Sequence, residues 1–357
     1  MQFIITWILR FGMIEFFSLF FVLINVFTFS LYVIDKRIAV KSKWRISEGI
    51  LLFFTLAFGG IGTLLGMCFA AHKTRSRKFR FVVAIGLIVA LIPVTHIVHG
   101  LTIGRTIRYV EIEFRSERWP AELDGYRIAF MTDMHIIADE DMRRATAKLN
   151  ERNLDLLLLG GDFSMHNAHY QGTVREIAQI ITTDGIFGVE GNHDDYRRLF
   201  SAKEQYGITP LNNSGVHIQD GFYLAGVHDL WNRSPNIEKA VAEAYADDFV
   251  LLLSHNPDVS MAQSTDGVDL ILSGHTHGGQ ITFFGFPFYL LRGSITDYGS
   301  HFAYGFSYSA DGAPVFASSG IGVYYTVPRV FTRPEVVIFI MYNEEFKIAQ
   351  HIMRCTL

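Results

Sequence analysis

Cysteine is nearly absent: Cys68 and Cys355 are the two in 357 residues. Two cannot build a disulfide framework or a cysteine-based zinc site, and they leave the redox compartment open. Cys68 lies in an apolar run and reads as a small core residue. Charge is also scarce, at 18% of residues against 50% hydrophobic and 14% aromatic. That excludes a disordered or collagen-like chain and is too apolar for an ordinary soluble enzyme. Acidic residues are rarest at the front. Residues 1–100 hold Glu15, Asp35 and Glu48 against eleven Lys/Arg, whereas residues 101–357 hold 32 acidic against 20 basic. An acidic globular back is a poor partner for nucleic acid, and none is expected. No internal repeat or low-complexity segment is visible. The length suits two domains at ~150 residues each, and the shift in composition sets them at 1–103 and 104–357.

Three apolar runs occupy the front, at about 11–34, 46–71 and 81–98. Each approaches the ~20 residues that cross a bilayer as a helix, so an all-α transmembrane domain is expected, with the lipid bilayer as partner. A cleaved signal peptide fits the first run poorly, because basic residues and no small-x-small site follow it. Lys36, Arg37, Lys41, Lys43 and Arg45 follow the first run, and Lys73, Arg75, Arg77, Lys78 and Arg80 follow the second. Three plain spans would put these loops on opposite sides, where the preference of positive charge for the cytoplasm ties. A re-entrant hairpin turning at Gly59-Gly60 would put both in the cytoplasm and the back of the chain outside. The competing reading is one straight helix in which Gly62 and Gly66 form a small-residue packing face.

Past Gly104 the pattern changes to short apolar strands at Tyr109–Phe114, Arg127–Met131, Leu154–Leu159, Ile186–Val189, Tyr223–Gly226, Phe249–Leu253, Val268–Leu272, Pro314–Ala317 and Val336–Met341. Helical stretches are predicted at Asp141–Asn150 and Gly172–Ile181. This mixture predicts an α/β layered domain. Asp133-x-His135, Gly161-Asp162, Gly191-Asn192-His193-Asp194, Ser254-His255 and Gly274-His275-Thr276-His277 each follow one of these strands directly. Loops beyond the carboxyl ends of strands converge on one sheet edge. Asp133, His135, Asp162, Asn192, His255, His275 and His277 make seven N/O ligands without a thiolate. Seven exceeds one tetrahedral site and suits two divalent ions sharing a carboxylate, Mn²⁺ first, with Fe or Zn²⁺ also compatible.

This order of motifs resembles the calcineurin-like metallophosphoesterases. The resemblance covers about residues 107–357 and implies a four-layer α/β/β/α sandwich and metal-dependent phosphoester hydrolysis. Carried over, it gives one ion Asp133, His135, Asp162 and His277, and the other Asp162, Asn192, His255 and His275. His193 would contact the phosphate and protonate the leaving oxygen, with Asp194 or Asp195 orienting its ring. Pro120–Gly125, Gly226–Asp229, Gly278-Gly279-Gln280 and Ser318–Gly322 resemble the membrane-anchored bacterial branch. That branch includes peptidoglycan-associated phosphoesterases and a UDP-2,3-diacylglucosamine pyrophosphohydrolase. Residues 16–90 resemble a small bacterial membrane domain of unknown function, through Asn25, Asp35-Lys36-Arg37, Arg45–Glu48, Gly59-Gly60 and His72-Lys73-Thr74. The expected protein is therefore a phosphohydrolase of the bacterial inner membrane, acting on a lipid-linked or envelope phosphodiester or pyrophosphate. A soluble-nucleotide phosphodiesterase and a silent binding module on the same fold are the alternatives.

Other residues carry weaker signals. His217, His301 and His351 read as surface or satisfied histidines. His166 and His169 lie on the loop after Asp162 that should rim the site, and His228 sits beside Asp229 on a predicted loop as a further site candidate. His72 and Lys73 could hold an anionic lipid head or simply belong to an interfacial basic cluster. The run Phe283–Leu291 is either buried core or an acyl-binding lip.

Overall fold

The computed structural model describes residues 13–41, 44–164, 167–195, 197, 201, 205–283, 286–287, 295–323 and 329–344. His166, Phe284, His351 and Cys355 lie outside them, as does most of the Phe283–Leu291 run. The chain divides into two compact units, Met1–Ile103 and Gly104–Leu357.

In the first unit, helix α1 (Met13–Val40) is followed by α2 (Glu48–Phe54), α3 (Gly60–Phe69) and α4 (Arg77–Leu101). Among the described residues, three helical segments are long and apolar enough to cross a membrane. Phe20, Leu23, Val26, Ile88 and Leu91 point outward from α1 and α4, as helix faces in lipid do. The middle segment does not run straight. Ala57 and Phe58 leave helical geometry, with φ of 66° at Phe58. Ile46 N–H and His72 Nε2 both bond the buried carboxylate of Asp35, at 3.2 and 2.7 Å. A straight helix from residue 46 to 72 would separate those ends by about 39 Å, so the chain doubles back at residues 57–59.

The turn is satisfied internally, as backbone inside a bilayer must be. Asn25 donates to Phe58 O at 3.1 Å and accepts Gly62 N–H at 2.8 Å. Tyr32, Thr55 and Thr63 link their hydroxyls at 3.1 and 2.9 Å. A Cβ on Gly60 would lie 2.3 Å from the Gly86 carbonyl carbon, so this arm meets α4 at backbone contact. Glycine here serves both alternatives raised by the sequence: the turn forms, and Gly62 still packs on α1, where a Cβ would lie 2.0 Å from Asn25 O. His72 and Lys73 are spent inside the unit, His72 on Asp35 and Lys73 on Glu48 and over the Phe79 ring. That replaces the lipid-head reading. Cys68 is exposed on α3 rather than packed in a core.

The second unit holds two six-stranded mixed sheets. One is built from β1 (Arg108–Arg115), β14 (Glu335–Tyr342), β2 (Tyr126–Met131), β3 (Leu156–Leu159), β4 (Ile186–Gly188) and β5 (Ile208–Pro210), in that spatial order. The other runs β12 (Gly305–Tyr308), β13 (Pro314–Ala317), β9 (Leu270–Ser273), β8 (Phe249–Leu253), β7 (Phe222–Gly226) and β6 (Ser214–Gln219). Strands β2, β3 and β4 are parallel, as are β7, β8 and β9, and β10 (Thr282–Phe283) pairs with β11 (Phe286–Pro287) in a separate ladder. Between the sheets lies a dry core that includes Phe130, Leu158, Leu251, Leu272 and Phe339.

Outside the first sheet, α5 (Asp139–Asn150) and α6 (Asn167–Ile177) cover a second cluster around Leu157 and Val174. Helix α5 buries Met142, Ala145, Thr146 and Leu149 along one stripe and starts with three acids that suit its dipole. Short helices α7 (Ile237–Ala240) and α8 (Val259–Ala262) cover the other sheet. The result is the expected α/β/β/α sandwich. Helix α6 begins five residues before the predicted Gly172 and ends at Ile177, because residues 178–179 form a turn.

Candidate metal centre

The parallel strands deliver the motif residues to the carboxyl edges of both sheets. Asp133 and His135 follow β2, Asp162 follows β3 and Asn192 follows β4. His255 follows β8, and His275 and His277 follow β9. Five of these seven have left-handed backbone: Asp133, His135, Asp162, His275 and His277, with φ between 34° and 69°. Non-glycine residues rarely accept that region, and clusters of such strain mark functional sites. Gly191 is required by crowding, since a Cβ there would lie 2.2 Å from Asp162 Oδ1.

All seven converge. His135 Nε2 faces His277 Nε2 at 3.0 Å. Asp133 Oδ1 lies 3.2 Å from the His277 nitrogen and 3.7 Å from that of His135. Asp162 Oδ2 is 3.2 Å from His135 Nε2 and also 3.2 Å from His255 Nε2. One carboxylate oxygen therefore touches two neighbouring groups.

In the second group, Asn192 Oδ1 lies 3.1 Å from His255 Nε2 and 3.0 Å from His275 Nδ1. The opposite nitrogens meet carbonyls, His255 Nδ1 at Gly160 O (2.8 Å) and His275 Nε2 at Ile295 O (3.2 Å). Carbonyls only accept, so those nitrogens carry protons, and Nδ1 of the neutral His275 ring presents a lone pair to the Asn192 oxygen. Lone pair against lone pair is resolved by a cation. Potential ligand atoms of Asp133, His135 and His277 lie within 4.8 Å of one another, and so do those of Asp133, Asp162 and His255. His275 joins the second group through Asn192.

Electrostatics suit a cation at every ligand whose shift is resolved except His255, whose ring would have to give up a proton to an ion. Burial holds the His135 and His275 rings down at about 3, neutral and able to bind metal. Burial pushes Asp133 and Asp162 up, but the imidazoles around them outweigh it and keep both carboxylates below their usual range. Burial likewise lowers His255, and the adjacent Asp162 carboxylate overrides it and holds the ring well above its ordinary value.

His193 is exposed beside these groups, its ring centroid 5.3 Å from that of His135, and its backbone N–H donates to Asp162 Oδ1 at 2.8 Å. Asp194 differs from expectation. Its carboxylate accepts the backbone N–H groups of Asp162, Phe163 and Gly191 at 2.6, 2.9 and 2.9 Å. It ties the loops after β3 and β4 together rather than orienting the His193 ring. Burial and the Asp162 charge raise it to about 8.

His228 bonds Glu190 Oε1 at 2.8 Å, in a loop that reaches Asn192 through Asn232. His217 pairs with Asp248 and His301 with Tyr308 O, so both are satisfied away from the cluster. His169 lies on α6. The sequence reading missed Glu190, Trp231 and Asn232, whose only sequence signal is nearness to Asn192 and His228. It also missed the buried Arg329, which donates to Gly322 O and His277 O.

Comparisons with known proteins agree with this geometry. Residues 126–279 match the calcineurin-like phosphoesterase family, and residues 25–79 match DUF1294, a family of unknown function. A transmembrane protein with metallophosphoesterase domain from Danio rerio is 27% identical over 320 residues, 82% of this chain and 70% of that protein. An uncharacterized metallophosphoesterase of Helicobacter pylori J99 is 29% identical over 227 residues, and the alignment spans 60% of this chain and 59% of that relative. YkuE of Bacillus subtilis, also an uncharacterized metallophosphoesterase, is 28% identical over 252 residues, 65% of this chain and 85% of its own length. Behind a stretch that matches DUF1294, then, this chain is similar to the calcineurin-like phosphoesterases over residues 126–279, and with the convergent ligand cluster that similarity supports a metal-dependent phosphoester hydrolase.

Proposed function

We propose that the protein is a membrane-anchored two-metal phosphohydrolase that cleaves a phosphodiester or pyrophosphate bond in a lipid-linked or cell-envelope substrate. The observation that carries the two-metal reading is Asp162 Oδ2, equidistant at 3.2 Å from His135 and His255. Asp133, His135, Asp162 and His277 would hold one ion, and Asp162, Asn192, His255 and His275 the other. The pair supplies charge for the phosphoryl oxygens and makes water a nucleophile at neutral pH. His193, exposed at the edge of the cluster, delivers a proton to the leaving oxygen. Asp194 keeps the Asp162 and Asn192 loops in register. The substrate class rests on the apolar anchor and on the resemblance to envelope phosphoesterases, including the UDP-2,3-diacylglucosamine pyrophosphohydrolase.

The anchor belongs to a bacterial inner membrane in this reading, with the catalytic unit outside the cytoplasm. The hairpin supports that side, because both basic loops flank its base and positive loops stay cytoplasmic. Alkaline phosphatase and fluorescent-protein fusions at the C-terminus test it, and fluorescence without phosphatase activity would reverse the assignment.

The activity is tested by Mn²⁺-dependent hydrolysis of bis-p-nitrophenyl phosphate by the full chain in detergent, beside Asp162→Asn. Activity in the wild type and none in the variant is expected. No turnover with metal bound would favour a binding module.

A further inference from the structure

Trp231 is an exposed indole beside the metal centre. It is 56% exposed, yet its ring centroid lies 4.4 Å from that of His275, with the planes at 88°. Its loop, which follows β7, is fastened from several sides. Buried Asp229 accepts the N–H groups of Trp231 and Asn232, both at 2.9 Å. The Asn232 amide donates to Asn192 O. Glu190 Oε1 pairs with His228 Nδ1 at 2.8 Å and with Arg233 Nε at 3.0 Å.

A lone exposed hydrophobic residue needs no explanation. This one stands on a loop whose backbone is fastened at several points, with its ring perpendicular to that of a residue of the convergent cluster and over half of its surface exposed. A pre-positioned tryptophan adds contact area at little ordering cost and favours flat partners through its π-face. We propose that Trp231 is the recognition platform for the group esterified to the scissile phosphate, and that it selects a flat ring over an unbranched chain. The ring is either an aromatic system or the carbon–hydrogen face of a sugar. This rests on the two-metal phosphohydrolase reading and adds a specificity element to it.

The test is calorimetric titration of the Mn²⁺-loaded full chain with inorganic phosphate, phenylphosphonate, a glucosyl C-phosphonate and n-butylphosphonate. None of these is hydrolysed, so turnover is not needed. One of the ring phosphonates should bind at least tenfold more tightly than the butyl compound, and which one leads identifies the kind of ring. Trp231→Ala should erase that margin, and Trp231→Phe should keep most of it. Affinity for inorganic phosphate should stay within twofold in both variants. A margin that survives in Trp231→Ala overturns the proposal, as does an equal loss of phosphate binding, which marks a structural role. Phosphate binding without any ring preference overturns this inference alone. No anion binding by the loaded wild type overturns the phosphohydrolase reading and this inference together.

Discussion

His72 Nε2 lies 2.7 Å from Asp35 Oδ2, across 37 residues of chain that enter the apolar layer and return. The contact closes the base of the hairpin and fixes where the two basic loops end. With Cys68 and Cys355 replaced by serine, Lys41→Cys and Arg75→Cys should react with an impermeant maleimide from the same side of sealed vesicles. Labelling from opposite sides would restore three plain spans.

The same carboxylate also accepts Ile46 N–H and pairs with Arg45. Asp35→Ala removes the shared acceptor and leaves His72 buried without its partner. Leaving a buried hydrogen-bonding group without its partner costs about 1–3 kcal/mol. Thermal unfolding in detergent should show the first unit weakened by that order. An unchanged midpoint would mean the hairpin is held elsewhere.

Metal removal should destabilise the second unit. The close approach of His135 and His277 Nε2, at 3.0 Å, is relieved by a cation. An ion supplied at a hundredfold its Kd adds about 2.7 kcal/mol of stability. Unfolding followed with Mn²⁺ and with chelator should therefore separate clearly in the wild type. The separation should shrink in Asp162→Asn, which weakens the shared ligand.

Asp194→Ala leaves three backbone N–H groups without their acceptor in the two ligand-bearing loops. Supporting residues of this kind typically change metal affinity 10–100-fold. Equilibrium dialysis should show a drop of that order, with Asp194→Asn intermediate because one oxygen remains. A fall in turnover at full metal occupancy would instead assign Asp194 a direct role.

Asp258 offers a pH-dependent test away from the ligands. Burial, with the Asp297 charge, raises it to about 6, against the single N–H bond from Asp297 at 2.8 Å. A carboxyl whose pKa is raised on folding binds more protons when folded, so stability falls as pH climbs from about 4 to 6. Asp258→Asn should therefore melt higher than the wild type at pH 8 and match it near pH 4. Equal midpoints at both values would mean that Asp258 is not carrying this penalty.

Most of the catalytic unit was legible because its signals are local. Leu154–Leu159 and Phe249–Leu253 are apolar runs with a ligand residue, Asp162 or His255, two or three positions beyond their ends. Strand β6 was not read, since Ser214–Gln219 lies at a sheet edge, exposed or half-buried throughout, and only Val216 and Ile218 carry the apolar alternation. Strand β12 is also an edge strand, only four residues long, and was not read either. Asp194 was misread because its three partners are backbone groups brought together by folding. The hairpin remained one of two readings, because glycine permits both a turn and close packing. Contacts from Asn25 and Asp35, distant in sequence, settle the fold there.

The centre draws Asp133, His135, Asp162 and Asn192 from one sheet and His255, His275 and His277 from the other. An ion gripped by both acts as a cross-link between the layers. It cannot be fully captured until the two halves of the sandwich have met, so loading belongs at the end of folding. Its loss should release the seam first at the carboxyl edges, where proteolysis and amide exchange would begin.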